Sequence, residues 1–209
     1  DCPLPLKNGD NLFSEINGKP ASLLTFLNGK STISVTNEQA YQLGLILGKM
    51  HNISTALKIN RENPMGLKSF PALIDTSSNT AENFSKNLNK IIAEEYKRIT
   101  SNWPEELPKG IIHADLFPDN VLFNDNEISG VIDFSFSCND FLSYDLSICI
   151  NAWCFRDGEF DISLSKNLLN GYQNIRELSK EELKQLPILC SGSALRFLLT
   201  RLADWKVSN

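Results

Sequence analysis

Three oxygen-bearing side chains near the middle of the chain are spaced for chemistry on a phosphate. Asp115 lies just past the apolar run Ile111-Ile112, Asn120 comes five residues later at the entry to Val121-Leu122-Phe123, and Asp133 closes the run Val131-Ile132. Each stands at the end of a short apolar segment, so a small sheet would gather all three at one edge. Phosphoryl transfer asks for such a set, because its transition state needs positioning and charge stabilisation rather than covalent help. Asn120 and Asp133 offer hard oxygens to Mg²⁺, which would hold nucleotide phosphates. Asp115 can accept the proton of an attacking hydroxyl. An Asn in place of a third carboxylate limits repulsion in the empty site. His113 joins the catalytic set as a brace for the loop, since a base already stands two residues on. Asp115, Asp119 and Asn120 read alone would be ordinary turn formers. The H-x-D-x-x-x-x-N spacing, its flanking apolar runs and the apolar-Asp-Phe ending coincide here, and that favours chemistry.

The elements that position these residues follow from pattern. Gly110–His113, Val121–Phe123 and Ile128–Phe134 read as strands, the last two joined by a turn at Asn124-Asp125-Asn126. Upstream, Leu12–Ile16 and Ala21–Leu27 flank Asn17-Gly18, a pair suited to a type I′ hairpin. After a break at Asn28-Gly29-Lys30, Thr36 and Gln39 form a capping box for a helix that buries Ala40, Leu43, Leu47 and Met50 and ends near His51. Residues 59–78 hold Pro64, Gly66, Pro71 and a Ser/Thr/Asn cluster, which reads as an irregular link. A second helix is expected from Ala81 to Asn102. From Phe141 onward the pattern is helical, with breaks near Asp157-Gly158 and Leu178. Ser179 and Glu182 cap the last helix, with Pro187 as a potential interruption.

Composition excludes several classes of function. The net charge is −5 and no Lys/Arg-rich block occurs, so neither nucleic acid nor an anionic membrane surface is an expected partner. No apolar run approaches the ~20 residues of a membrane span. The five cysteines are scattered without a C-x-x-C pair and there are two histidines, which suits reduced thiols in a cytoplasmic protein rather than a zinc site. His51 reads as a buried structural histidine. Trp153, Phe155 and Trp205 are core residues or pocket walls, and Cys138 has no neighbour that would activate it.

At His113 to Phe123 (HADLFPDNVLF), and at Leu43-Gly44-x-x-Leu47-Gly48-x-x-His51, the chain resembles the aminoglycoside-phosphotransferase-like branch of the kinase superfamily. Within that branch it is similar to the bacterial homoserine kinases, at His113 to Phe123, at Ile128 to Leu146 (ISGVIDFSFSCND…YDL) and at Leu195 to Arg201 (LRFLLTR). The resemblance implies an α/β protein-kinase-like fold with a mostly helical C-terminal lobe. It implies ATP and Mg²⁺ as co-substrate and cofactor, Asp115 as base, Asn120 and Asp133 as metal ligands, and Asp145 as a brace for the loop backbone. L-homoserine is the implied acceptor, with Asp140, Arg196 and Arg201 as candidate substrate contacts. Five residues of helix turn through ~140°, so the two arginines need not share a face. Choline, ethanolamine or an aminoglycoside as acceptor, and a non-catalytic module of the same fold, are the competing readings.

The family's glycine-rich phosphate loop and strand-borne lysine have no counterpart before Leu12, and Lys7, Lys19 and Lys30 stand beside turns. The expectation is an N-terminally truncated chain. Residues 1–30 would be a remnant of the nucleotide-binding lobe and its hinge at Phe26, Leu27 and Asn28, and 31–209 the catalytic lobe. Such a chain alone should bind ATP poorly and turn over little.

Overall fold

The structure is a computed structural model and describes residues 1–205. Its first thirty residues form four short strands, β1 (Pro5–Leu6), β2 (Ser14–Ile16), β3 (Lys19–Ala21) and β4 (Leu23–Leu24). β2 and β3 are the expected hairpin, turning at Asn17 and Gly18 with φ of 52° and 73°. The return strand differs from expectation: it begins at Lys19 and does not run on to Leu27. Pro20 brings no N–H to a longer ladder, the Ser22 hydroxyl donates to the Leu12 carbonyl, and β4 leaves to pair with β1. Leu4, Phe13, Ile16, Leu23 and Phe26 are all exposed. This part therefore adds little to the core.

Helix α1 (Asn37–Ser54) starts at the Thr36–Gln39 capping box, both halves of which are made, and buries Ala40, Leu43, Leu47 and His51. The link beyond it is shorter than expected. It ends in a single 3₁₀ turn at Leu67–Ser69, and α2 (Phe70–Phe84) follows with Pro71 in its first turn. Proline is tolerated there because that N–H has no helical partner, so a residue taken for a breaker instead opens a helix. The expected helix over 81–102 is also two. Asn87 adopts a left-handed φ of 72° and separates α2 from α3 (Leu88–Asn102).

The β segment comprises β5 (Lys109–Ile112), β6 (Val121–Asn124), β7 (Glu127–Val131) and β8 (Cys138–Phe141), paired as β6–β7 and β5–β8. Strand β8 was not expected; its Asn139-Asp140 centre lacks β-branched residues, and pairing with β5 decides its conformation. Strand β7 stops at Val131, two residues before Asp133. Then come α4 (Leu142–Trp153), a small hairpin of β9 (Phe155–Arg156) and β10 (Glu159–Phe160) turning at Asp157-Gly158, α5 (Ile162–Gln173) and α6 (Lys180–Asp204). α6 opens on the Ser179–Glu182 capping box and runs unbroken through Pro187. By length and composition α6 is long and apolar enough to cross a membrane, contrary to the sequence reading. In the fold it packs against α4, α2 and α3 and buries both Glu182 and Arg196.

Among the described residues three apolar clusters result. The largest joins α1, α4, α5 and the β6–β7 hairpin around Trp153 and Tyr172. A second joins α2, α3 and α6, and a third lies between β5, β8 and α4. The tightest packing is where α1 crosses α5. A Cβ on Gly44 would meet the Leu168 carbonyl and, at 2.6 Å, the Tyr172 backbone nitrogen; one on Gly171 would meet the Tyr41 carbonyl. These obstacles are backbone, which cannot swing aside. Gly171→Ala should therefore destabilise the fold by about 2–3 kcal/mol, read as a lower urea midpoint, and Gly44→Ala should do the same.

Candidate active site

The loop after β5 is held by charges and dipoles aimed at its backbone. Asp145, on the first turn of α4, is fully buried. Its carboxylate accepts the N–H of His113 (2.9 Å) and of Ala114 (2.9 Å), and His51 Nε2 lies 3.2 Å away. Burial pushes this carboxyl up. The hydrogen bond and charge of His51, the charge of His113 and the His113 N–H outweigh burial, and the group is held below the ordinary carboxylate range. His51 Nδ1 lies 2.7 Å from the Tyr172 hydroxyl, and Arg176 donates to that hydroxyl oxygen at 3.2 Å while pairing with buried Glu182 at 2.9 Å. A polar chain thus runs from α6 through α5 and α1 to the loop. Sequence alone marks His51 only as a buried structural histidine and gives no sign of Tyr172 or Arg176. The Leu-Gly-x-x-Leu-Gly-x-x-His spacing was the one available signal, since Tyr172 lies 121 residues from its partner.

Ala114 follows with a left-handed φ of 65°, which an alanine adopts at a cost of ~1–2 kcal/mol. That twist turns the chain so that Asp115, half-buried, leaves the loop on the side facing Asn120. The Asn120 side-chain amide donates to the Asp115 carbonyl at 2.8 Å and approaches its carboxylate at 3.5 Å. With its NH₂ so committed, the amide oxygen points away from Asp115. Ile132 links the two halves of the cluster: its N–H donates to the Asn120 carbonyl at 3.0 Å, and its carbonyl meets His113 Nε2 at 3.0 Å. His113 Nδ1 in turn receives the Asp115 N–H at 3.3 Å. Asp133, next after Ile132, is exposed and left-handed at φ 60°, with its carboxylate accepting from the N–H and hydroxyl of Ser135. Asp115, Asn120 and Asp133 thus stand on three connected backbone segments with open access from solvent.

The electrostatics fit a cation. Burial raises the proton affinity of Asp115; Arg196 and His113 oppose this, and the negative charges of Asp133 and Asp119 add to it. Among the described residues no group of three or more His, Cys, Asp or Glu is disposed to hold a metal. The donor set is instead one amide oxygen and one carboxylate beside a second carboxylate, which suits Mg²⁺ because that ion keeps several waters and leans on phosphate oxygens.

The other residues singled out fall in different places. Arg196 is buried beneath the loop at 2% exposure and donates to the Ala114 carbonyl. Arg201 is exposed, its guanidinium 5.8 Å from the rings of both Phe117 and Phe197. The two arginines therefore do reach one face, meeting at Phe197. Asp140 is not brought to this cluster. It sits opposite Gly110 on β8, accepts from Asn63 at 2.7 Å, and lines a separate pocket of about 370 Å³ with Glu62, Lys109 and Tyr144. Phe26 is 90% exposed, Leu27 rests on Gly130, and the Asn28 carbonyl accepts the Ser129 hydroxyl at 2.7 Å, so the segment lies against the β6–β7 hairpin. Trp153 is core, its indole N–H on the Leu116 carbonyl at 2.7 Å, while Phe155 and Trp205 are exposed. The Cys138 thiol is pushed up to about 12 by burial and then by Asp140 and Asp145, which leaves it inert.

The phosphotransferase enzyme family matches residues 2–178 of the chain. The protein belongs to that family. Among its relatives, a homoserine kinase of Agrobacterium fabrum is 46% identical over 206 residues, which is 98% of this chain and 64% of that protein. A homoserine kinase of Rhizobium meliloti is 43% identical over 206 residues, 98% of this chain and 63% of that one. The chain thus spans a little under two thirds of the length of these curated relatives. The amicoumacin kinase hAmiN, solved in complex with AMP-PNP, Ca²⁺ and Ami, superposes with a TM-score of 0.69 at 14% identity over 89% of this chain and 58% of that one. A choline kinase from Cryptosporidium parvum gives 0.66 at 14% identity over 97% and 67%. These likenesses establish the protein-kinase-like fold.

Asp145→Asn should cost about 3 kcal/mol at neutral pH, because an amide NH₂ would face donors it cannot satisfy. The pH dependence has a definite sign. A carboxyl held below its unfolded value contributes stability above that value, ~3.9, and loses it as pH falls through the folded one. The gap between wild type and Asp145→Asn in chemical denaturation should be constant above ~pH 5 and narrow below ~pH 4.

Proposed function

We propose that the full-length protein transfers the γ-phosphoryl group of ATP to the side-chain hydroxyl of L-homoserine, giving O-phospho-L-homoserine and ADP in threonine biosynthesis. The observation that carries the reading is the connected set of Asp115, Asn120 and Asp133 at a solvent-open edge. Relatives named homoserine kinase at 43–46% identity support the choice of acceptor. Asp115 accepts the hydroxyl proton as the acceptor oxygen bonds to the γ-phosphorus and the bond to the ADP oxygen breaks. Its raised proton affinity suits that task. Asn120 and Asp133 would hold Mg²⁺, which when bound would neutralise charge on the phosphate oxygens. His113 keeps Ile132, and hence Asp133, in register with Asp115. Arg201, exposed beside Phe117, is the cation positioned to receive the acceptor carboxylate.

In this reading residues 1–30 are the end of the nucleotide-binding lobe, with Phe26, Leu27 and Asn28 at the hinge, and the rest is the catalytic lobe. The cysteines are unpaired, in keeping with a cytoplasmic enzyme.

Release of ADP by the full-length gene product should follow addition of homoserine and not of choline; the reverse preference would discard the acceptor. Asp115→Asn should lower kcat by about 10³-fold with KM for ATP little changed. Asp133→Asn should raise the Mg²⁺ concentration needed for half-maximal rate by about tenfold.

A further inference from the structure

Arg196 is a cation with almost no solvent contact, and its surroundings say what it holds. One Nη1–H donates to the Ala114 carbonyl, the guanidinium lies 4.4 Å from the Phe197 ring and 5.6 Å from the Phe136 ring, and its Nε–H is buried without a partner. Ala114 is the left-handed residue directly before Asp115, and its own N–H is already held by Asp145 at 2.9 Å. A buried anion therefore grips the N–H of this residue, and a buried cation grips its C=O. Phe136 belongs to the 3₁₀ turn that follows Asp133. The same guanidinium thus touches the turn after one proposed metal ligand and the peptide before the proposed base.

We infer that Arg196 is a positioning residue. With Asp145 it clamps Ala114 through the peptide groups on its two sides, fixing the direction of Asp115 relative to Asp133, and it does not bind the acceptor carboxylate. The inference deepens the proposed function and rests on it for its kinetic test. A charge-assisted bond to a carbonyl is stronger than a neutral one, and a left-handed alanine needs such an external restraint to persist. A bidentate fork to substrate would require an open guanidinium edge, whereas this side chain is 2% exposed. Its neighbour Arg201 is exposed and able to meet a ligand.

The test has two arms. In the full-length enzyme, Arg196→Met should lower kcat by about 10²-fold, the cost of misplacing a reacting group by about 1 Å. KM for the acceptor should change less than threefold, and the loss should be equal for L-homoserine and for L-homoserinol, which lacks the carboxylate. Arg196→Lys, which can still donate to the Ala114 carbonyl, should recover about tenfold of that loss. Should the methionine variant fail to fold, the lysine variant decides by the same split of kcat from KM. A rise in KM confined to homoserine, with kcat kept, would overturn the clamp. The second arm needs no turnover: in the 209-residue chain, amide hydrogen exchange across residues 113–116 should be at least about tenfold faster in whichever Arg196 variant folds, with α5 unchanged. Unaltered exchange there would also overturn the inference. Accelerated exchange alongside a full-length enzyme that ignores homoserine would keep the clamp and discard the acceptor.

Discussion

The site depends on a carboxylate that never meets the substrate. Asp145 is sealed inside the lobe, where an unpaired ion would cost several kcal/mol. It is retained because three donors converge on it: two successive backbone N–H groups and an imidazole. The backbone of His113 brings the two successive N–H groups to one carboxylate, and the left-handed Ala114 follows directly. Hence a single buried charge fixes a strained turn, and the turn decides where Asp115 leaves the backbone. The supports behind Asp145 extend this logic outward. Tyr172 holds the His51 ring so that Nε2 faces the carboxylate, and Arg176 with Glu182 ties the hydroxyl to the start of α6.

A tension in charge runs through the same region. Asp115, Asp119 and Asp133 stand close enough for each acid to raise the proton affinity of Asp115, and burial raises it further. Without compensation Asp115, the proposed base, would be too willing to stay protonated. Arg196 beneath the loop and His113 beside it oppose that shift, and a metal at Asn120 and Asp133 would oppose it more strongly. Asn120 gives its NH₂ to the Asp115 carbonyl without adding a further negative group, and in the proposed site its oxygen would be left for the cation.

How much of this was legible in the sequence depends on range. The capping boxes at Thr36–Gln39 and Ser179–Glu182 are local hydrogen-bond patterns, and both were readable. So was the Asn17-Gly18 turn, because positive φ is a property of those residues themselves. Pro71 misled, since proline breaks a helix interior but suits its first turn, and nothing local says which applies. Strand β8 was hidden because its residues have no strand preference until β5 lies beside them. The order of Asp115, Asn120 and Asp133 along the chain suggested their gathering, but not that Ile132 would tie the segments together. For Arg196 the residue could be named and its direction could not: whether a helical arginine faces ligand or backbone is decided by Phe136 and Phe197, which pack around it only in the folded state.

The contacts that hold the reacting groups are mostly made to backbone atoms. Asp145 takes N–H groups, Arg196 and Asn120 bind carbonyls, and His113 reaches the Ile132 carbonyl. Backbone partners are indifferent to which side chains the loop carries, although Leu116 is itself a fully buried core residue. The surface proposed to face the acceptor is different. Phe117, Phe197 and Arg201 touch one another through their side chains on a surface supplied by α6, and α2 and α3 pack on α6 in a core of their own. Phe197 also packs on the Arg196 guanidinium at 4.4 Å, so this surface and the clamp at Ala114 share a side chain. Helix α6 thus serves both regions, holding the Ala114 carbonyl through Arg196 and presenting Arg201 to solvent beside Phe117.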